Sequence, residues 1–201
     1  MNAKLLLAAA VALSSASLLA FAPRAATTEA PAAASTWNID PVHSSCIFRC
    51  KHFNTANFYG RIDKMTGTIS FDEANPESSS LNVDVATDSV NTGADKRNGH
   101  LKSGDFLSAS EFPKATFKSK SFKKAGENTF DVKGDFTLRG VTKEITVKLE
   151  KTGQGKGQMG EIIGFETTFT IDRLDYGVKF MPDALGHEVR LTISLEAGKQ
   201  G

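Results

Sequence analysis
The sequence predicts an all-β domain of eight antiparallel strands. Three observations carry this. Eight runs alternate apolar and polar residues, the period of a strand with one buried face. Turn signals rich in Gly, Pro and Asn separate several of them. The alternation lapses once, from Val90 to Phe117, for roughly two dozen residues, and a connection that long inside a compact domain is commonly functional.

The strands follow in order. His43 to Phe53 is the first run. Phe58 to Phe71 is the second, and its apolar phase changes between Ile62 and Met65, which predicts a β-bulge. Leu81, Val83 and Val85 alternate in the third, and Ala115 to Phe122 makes the fourth after the long connection. Phe130, Val132, Phe136 and Leu138 share one face of the fifth. Ile145, Val147 and Leu149 share one face of the sixth. Ile163, Phe165, Phe169 and Ile171 line the seventh, and Val189, Leu191, Ile193 and Leu195 the eighth. Asn75-Pro76, Gly126-Glu127-Asn128, Arg139-Gly140 and the Gly-rich run Gly153 to Gly160 read as turns. Such strands make either a barrel or a sandwich. Closure into a barrel removes exposed edges, and eight strands leave room for packed side chains or one small ligand.

The chain has 14 Phe but only one Trp and two Tyr, so most of its aromatic area carries no polar atom. Phe48, Phe117, Phe130, Phe136, Phe165 and Phe169 fall on apolar strand faces. Each alone reads as core; as a set they can line a cavity for a hydrocarbon chain. The long connection carries Asn91, Thr92, Asp95, Arg97, Asn98, His100 and Asp105 among the apolar Leu101, Phe106, Leu107 and Phe112. A loop of that mixture can close a barrel mouth and hold a polar head group.

Lys4 precedes the apolar runs Leu5 to Leu13 and Ala16 to Ala22, which read as a secretory signal peptide over residues 1–22. These runs are too short and too rich in Ala and Ser for a stable membrane span. Ala20-Phe21-Ala22 fits the small-x-small cleavage rule, and so do later sites up to Ala32-Ala33-Ala34. Residues 23–36 read as a flexible linker and 37–199 as one domain. Export places the domain in the periplasm or outside the cell. The formal net charge is +1, from 24 basic and 23 acidic residues, and no basic block points to nucleic acid.

Cys46 and Cys50 share a face of the first strand, with Phe48 between them and His52 beyond. Extended geometry sets their Cα atoms about 13 Å apart, outside the reach of about 7 Å for a disulfide. They read as small apolar core residues. A redox or metal pair with His52 needs a bulge to bring them together, and Cys-x3-Cys-x-His matches no established metal spacing on a strand.

Several fragments recur in order along the chain. They are Trp37-x-Ile39-Asp40-x-x-His43-Ser44, Phe48 to His52, and Gly60 with Gly67-x-Ile69. Thr92-Gly93, Arg97, His100-Leu101, Asp105-Phe106 and Phe112-Pro113-x-x-x-Phe117-x-Ser119 form a central group. Gly134-Asp135-x-Thr137-Leu138-x-Gly140-Val141-Thr142-Lys143 and Ile171-x-Arg173-x-Asp175-Tyr176-Gly177 complete them. By these fragments the chain resembles the YceI-like family from Trp37 to Ala197. The resemblance implies an exported, eight-stranded antiparallel lipocalin-like barrel with a long, partly helical connection between strands 3 and 4. It also implies a polyisoprenoid or fatty-acid-like lipid as ligand, no cofactor, and a homodimer. Asn98 departs from the family's usual Asp and removes a charge there. Cys46 and Cys50 stand at positions more often aliphatic, and His187 in a turn more often acidic or polar.

The candidate ligand-binding residues are those six Phe residues with Arg97, His100, Leu101 and Phe106 from the connection. Arg97 and His100 can hold a phosphate or carboxylate, since Arg offers a planar fork of donors. They can equally tie the connection to the rim through Asp95 or Asp105. Arg173 and Asp175, two apart on a strand, read as an ion pair or part of that network. His43 and His52 lie about 30 Å apart on opposite faces of one strand and form no joint site. The chain has no G-x-S-x-G, H-E-x-x-H or G-x-G-x-x-G motif, which favours a binding protein over an enzyme. The alternative is an exported redox or metal-binding protein that uses Cys46, Cys50 and His52.

Overall fold
The computed structural model describes residues 34–200. The expected signal peptide and most of the expected linker lie outside the described residues. The described chain runs β1 (Ser35–Ile39), β2 (Ser45–His52), β3 (Ala56–Ile62), β4 (Met65–Phe71), β5 (Ser80–Ala86) and β6 (Val90–Asn91). Then follow α1 (Asp95–Lys102), β7 (Lys114–Lys124), β8 (Thr129–Leu138), β9 (Val141–Gly157), β10 (Gly160–Asp172) and β11 (Glu188–Lys199). Among the described residues no helix is long and apolar enough to cross a membrane.

The strands β1, β4, β5, β7, β8, β9, β10 and β11 pair antiparallel in that order, and β11 pairs back onto β1. This closes an eight-stranded barrel and removes its edges. At one end β2 continues β1 along β11, β3 pairs with β2, and β6 pairs with β3. Three of the eight strands are therefore each broken in two. The first break follows from Asp40 and Pro41. Asp40 Oδ1 accepts from the Val42 and His43 amides at 2.7 and 3.3 Å, an Asx-type turn that strand pairing cannot accommodate. The second break replaces the bulge expected between Ile62 and Met65. There the Lys64 amide turns to Ser89 Oγ at 2.9 Å, within the third break between β5 and β6.

Strand β1 was not expected, and Ser35 and Thr36, read as linker, already pair with Phe71 and Ser70. The Gly-rich run from Gly153 to Gly160 is mostly strand, and only Gln158 and Met159 within it make the hairpin turn. β9 and β10 stay paired from Gly157↔Gly160 through Gly155↔Ile162, because ladder hydrogen bonds use backbone groups that glycine also has. Arg173 and Asp175 do not lie on a strand, since Arg173–Tyr176 is a 3₁₀ turn. The Arg139-Gly140 turn has φ of +49° and +73°, the left-handed pair that a two-residue hairpin between β8 and β9 requires.

One end of the barrel is closed by packed side chains. Trp37, Ile69, Phe122, Phe130, Leu149, Ile163 and Phe165 are fully buried there. Phe71 meets Phe130 and Phe165 edge-on at 5.4 and 5.2 Å between ring centroids, the favoured arrangement of aromatic quadrupoles. The opposite end is capped by α1 and by the segment from Gly177 to His187, and it stays hollow.

Candidate functional site
A cavity of about 520 Å³ occupies the hollow end. That falls within the roughly 300–1,000 Å³ range of small-molecule sites. Strand alternation builds its wall. On β2 every second residue, Cys46, Phe48, Cys50 and His52, faces the cavity. Phe58 and Ile62 of β3, Phe136 and Leu138 of β8, and Leu191 and Ile193 of β11 add to it. The capping elements contribute Arg97, His100, Leu101, Phe106 and Leu107 from one side, and Val178, Met181 and Leu185 from the other. No Asp or Glu lines it.

The structure divides the expected site residues into three groups. Phe48, Phe136, Arg97, His100, Leu101 and Phe106 line the large cavity. Phe117 and Phe169 border a smaller void of about 40 Å³ beneath it, which shares Val85, Ala115, Phe136 and Ile193 with the first. Phe130 and Phe165 belong to the closed end and line neither.

Arg97 sits at the mouth with its guanidinium 4.7 Å above the Phe58 ring. Its Nε and Nη2 donate to Thr92 Oγ1 and to the Thr92 carbonyl, both at 2.8 Å. Asn98 Oδ1 accepts from the Thr92 amide and hydroxyl at 2.8 and 2.7 Å. A neutral acceptor serves that role, so the departure from Asp at 98 leaves the local geometry intact. Arg97 Nη1 makes no hydrogen bond among the described residues. His100 Nε2 lies 2.8 Å from Asp105 Oδ2, and its ring stands edge-on between Phe106 and Phe180 at 5.0 and 5.1 Å. The expected tie through Asp105 is thus present for His100, whereas Arg97 is tied through Thr92.

Arg173 is the residue that sequence reasoning underrated. It is buried and reaches five backbone carbonyls of the capping segment. Nε donates to Gly186, Nη1 to Val178 and Phe180, and Nη2 to Leu185 and Met181, at 2.6–3.4 Å. Burial lowers its pKa from the ordinary arginine value, which Cys50 and Asp172 partly oppose. Asp175 does not pair with it but with Lys143, at 2.6 Å. The signal for this role was in the sequence: an arginine followed by a segment of eleven residues, from Gly177 to His187, with no strand period to satisfy its own carbonyls. His187 closes that segment by bonding Asp172 at 2.7 Å, which lowers the Asp172 pKa.

Cys46 and Cys50 are free, and burial pushes the Cys46 thiol up to about 11 and the Cys50 thiol upward as well. β2 keeps a regular register with β3 from Cys46↔Ile62 to His52↔Ala56, without the bulge that would bring the two sulfurs together. Outside the barrel, Asp40, His43 and Glu196 place one ligand-type atom each within 4.8 Å of one another. Asp40 holds His43 above its ordinary pKa, and the two lock the first strand break.

A family profile described as YceI-like domain matches residues 37–197. A UPF0312 protein of Pseudomonas aeruginosa is 38% identical over 176 residues, which cover 86% of this chain and 92% of the relative. The crystal structure of the Campylobacter jejuni YCEI protein is 32% identical, with a TM-score of 0.65 over 75% of this chain and 90% of that one. A polyisoprenoid binding domain from Saccharophagus degradans, implicated in plant cell wall breakdown, has the same fold at 18% identity. Its TM-score is 0.65 over 83% of this chain and 99% of that one.

Proposed function
The chain belongs to the YceI-like family, and from that premise we propose that it is an exported, periplasmic binding protein for an amphiphilic lipid, a polyisoprenoid or a fatty-acid-like chain. The observation that carries this reading is the cavity, about 520 Å³ of mostly apolar wall whose cationic-capable lining residues are His52, Arg173 and, on the capping helix at its mouth, Arg97 and His100. Apolar walls reward burial of a hydrocarbon chain at roughly 25 cal/mol per Å². The absence of carboxylates from the lining favours a neutral or anionic head group over a cationic one. The binding named for the Saccharophagus domain, which shares the fold, agrees with this. The reading is of a carrier or store, with no bond-breaking step. The redox or metal alternative is disfavoured by the regular β2 register and by thiols whose pKa burial raises.

The test is direct. Freshly purified protein should release an apolar ligand on solvent extraction, seen as a bound mass in native mass spectrometry. Emptied protein should take up added polyprenyl phosphate and polyprenol. Arg97→Ala should weaken the phosphate form about ten-fold or more, from loss of a charge-assisted hydrogen bond worth roughly 1.5–3 kcal/mol, and the alcohol much less. No extractable lipid together with no uptake of either probe would sink the proposal. Equal losses for the two probes would reduce Arg97 to a support for Thr92.

A further inference from the structure
The outer face of β2, β3 and β11, beside the cavity mouth, carries an arrangement that neither folding nor the cavity explains. Across the three strands Arg190, Arg49 and Tyr59 stand in one row, and Thr192, Ile47 and Arg61 in the next. Lys51 follows on β2. The row places Arg49 directly opposite Arg190, and like charges so placed destabilise a sheet. Arg61 is held by Asp63 at 2.6 Å, but Arg49, Lys51 and Arg190 have no carboxylate within ion-pair distance among the described residues. The outward positions of β2 and β3 include no acidic residue; the acidic residues stand at the border, Asp63 just after β3 and Glu188 and Glu196 towards the two ends of the outward side of β11. Large apolar side chains are exposed around these cations: Phe53 at 60%, Tyr59 at 58% and Ile47 at 41%. Phe53 follows the cavity-lining His52, and Met181, 42% exposed, itself lines the cavity.

From this juxtaposition we infer that the β2–β3–β11 face docks onto a bilayer containing anionic phospholipid, with Phe53 and Met181 at the rim entering the interface. The inference rests on the lipid-binding reading, since a sparingly soluble cargo has to pass between bilayer and cavity. Surface cations are drawn to anionic lipid, and amphipathic aromatics such as Tyr59 settle at the head-group level. A second copy of the chain is a poorer occupant. A two-fold contact matches a patch with itself, which would press Arg49 and Arg190 against their own counterparts.

The full chain is sedimented with vesicles of phosphatidylcholine alone and with vesicles in which part of it is replaced by phosphatidylglycerol. Wild type should partition onto the anionic vesicles, less so at high salt. The triple variant R49Q/K51Q/R190Q should lose on the order of a hundred-fold, about five-fold per cation. Phe53→Ser should also weaken partitioning. Residues 1–33 are the same in every protein, so the differences report the face. Removing the opposed arginines should leave the melting temperature unchanged or higher, and uptake of a short-chain soluble lipid probe intact. Equal partitioning of triple variant and wild type would overturn the inference. So would loss of self-association in the variant without loss of vesicle binding, which would assign the face to a second copy. If wild type takes up no probe, the cavity reading falls, while the vesicle series still decides the face.

Discussion

At the residue scale, one side chain organises the mouth. Arg173 donates to the carbonyls of five residues from Val178 to Gly186. Arginine suits this because its planar fork presents several donors in fixed directions. Replacing it with Met keeps the apolar stem but takes the donor from the carbonyls of Val178, Phe180, Leu185 and Gly186, whereas Met181 keeps the Ala184 and Leu185 amides; each buried acceptor left unsatisfied costs roughly 1–3 kcal/mol. Arg173→Met should therefore lose at least about 3 kcal/mol of stability, a fall in melting temperature of about 6–12 °C for a domain of this size. Arg173→Lys should recover only part, since an ammonium offers three donors from one point. Denaturation curves of the three proteins check this. A Met variant as stable as wild type would show that the capping segment holds itself.

At the element scale, the pairing of β2 with β3 sets the shape of the cavity wall. Phe48 lies across from Gly60, and its ring covers the glycine. A Cβ built at Gly60 would sit 2.3 Å from Phe48 Cζ and 2.6 Å from Cε1. The backbone at Gly60 is ordinary for a strand, so the requirement is space and not conformation. Gly60→Ala should swing Phe48 into the cavity, cost about 1–3 kcal/mol through overpacking, and weaken lipid uptake. The double variant Gly60→Ala with Phe48→Leu should regain uptake. Probe titrations of the single and double variants test this coupling, and unchanged uptake in Gly60→Ala would refute it. The same scale explains the three broken strands. Breaks at 40–44, 63–64 and 87–89 let one half of each long strand follow the closed barrel while the other half opens around the cavity.

At the scale of the whole molecule, the barrel is a closed, aromatic-packed base beneath a hollow upper half. Phe136, the largest of the four side chains that line both spaces, lies between the large cavity and the small void below, with Val85, Ala115 and Ile193. It packs edge-on against Tyr176 at 5.4 Å and Phe169 at 5.9 Å. Phe136→Ala should merge the two spaces and shift preference toward longer chains. The change should also cost about 3–5 kcal/mol, so uptake of a chain-length series must be measured where the variant is folded. An unchanged length optimum would place the floor of the binding space elsewhere.

The sequence by itself determined the strand faces, the number of long strands, the hairpin turns and the one long connection. All of these are local: side-chain alternation and turn chemistry are written within a few residues. It also carried the family fragments that run from Trp37 to Ala197. Tertiary structure alone decided how high along the barrel each inward residue sits. Phe48 and Phe136 line the cavity whereas Phe130 and Phe165 close the base, although all four follow the same alternation. Alternation separates inside from outside, but height depends on the stagger between strands, a property of the closed sheet. Arg173 shows the same limit. Its motif was legible, but the turn that buries it forms only when the segment from Gly177 to His187 packs back on β2, through the Lys51 carbonyl and the Gly186 amide at 2.8 Å.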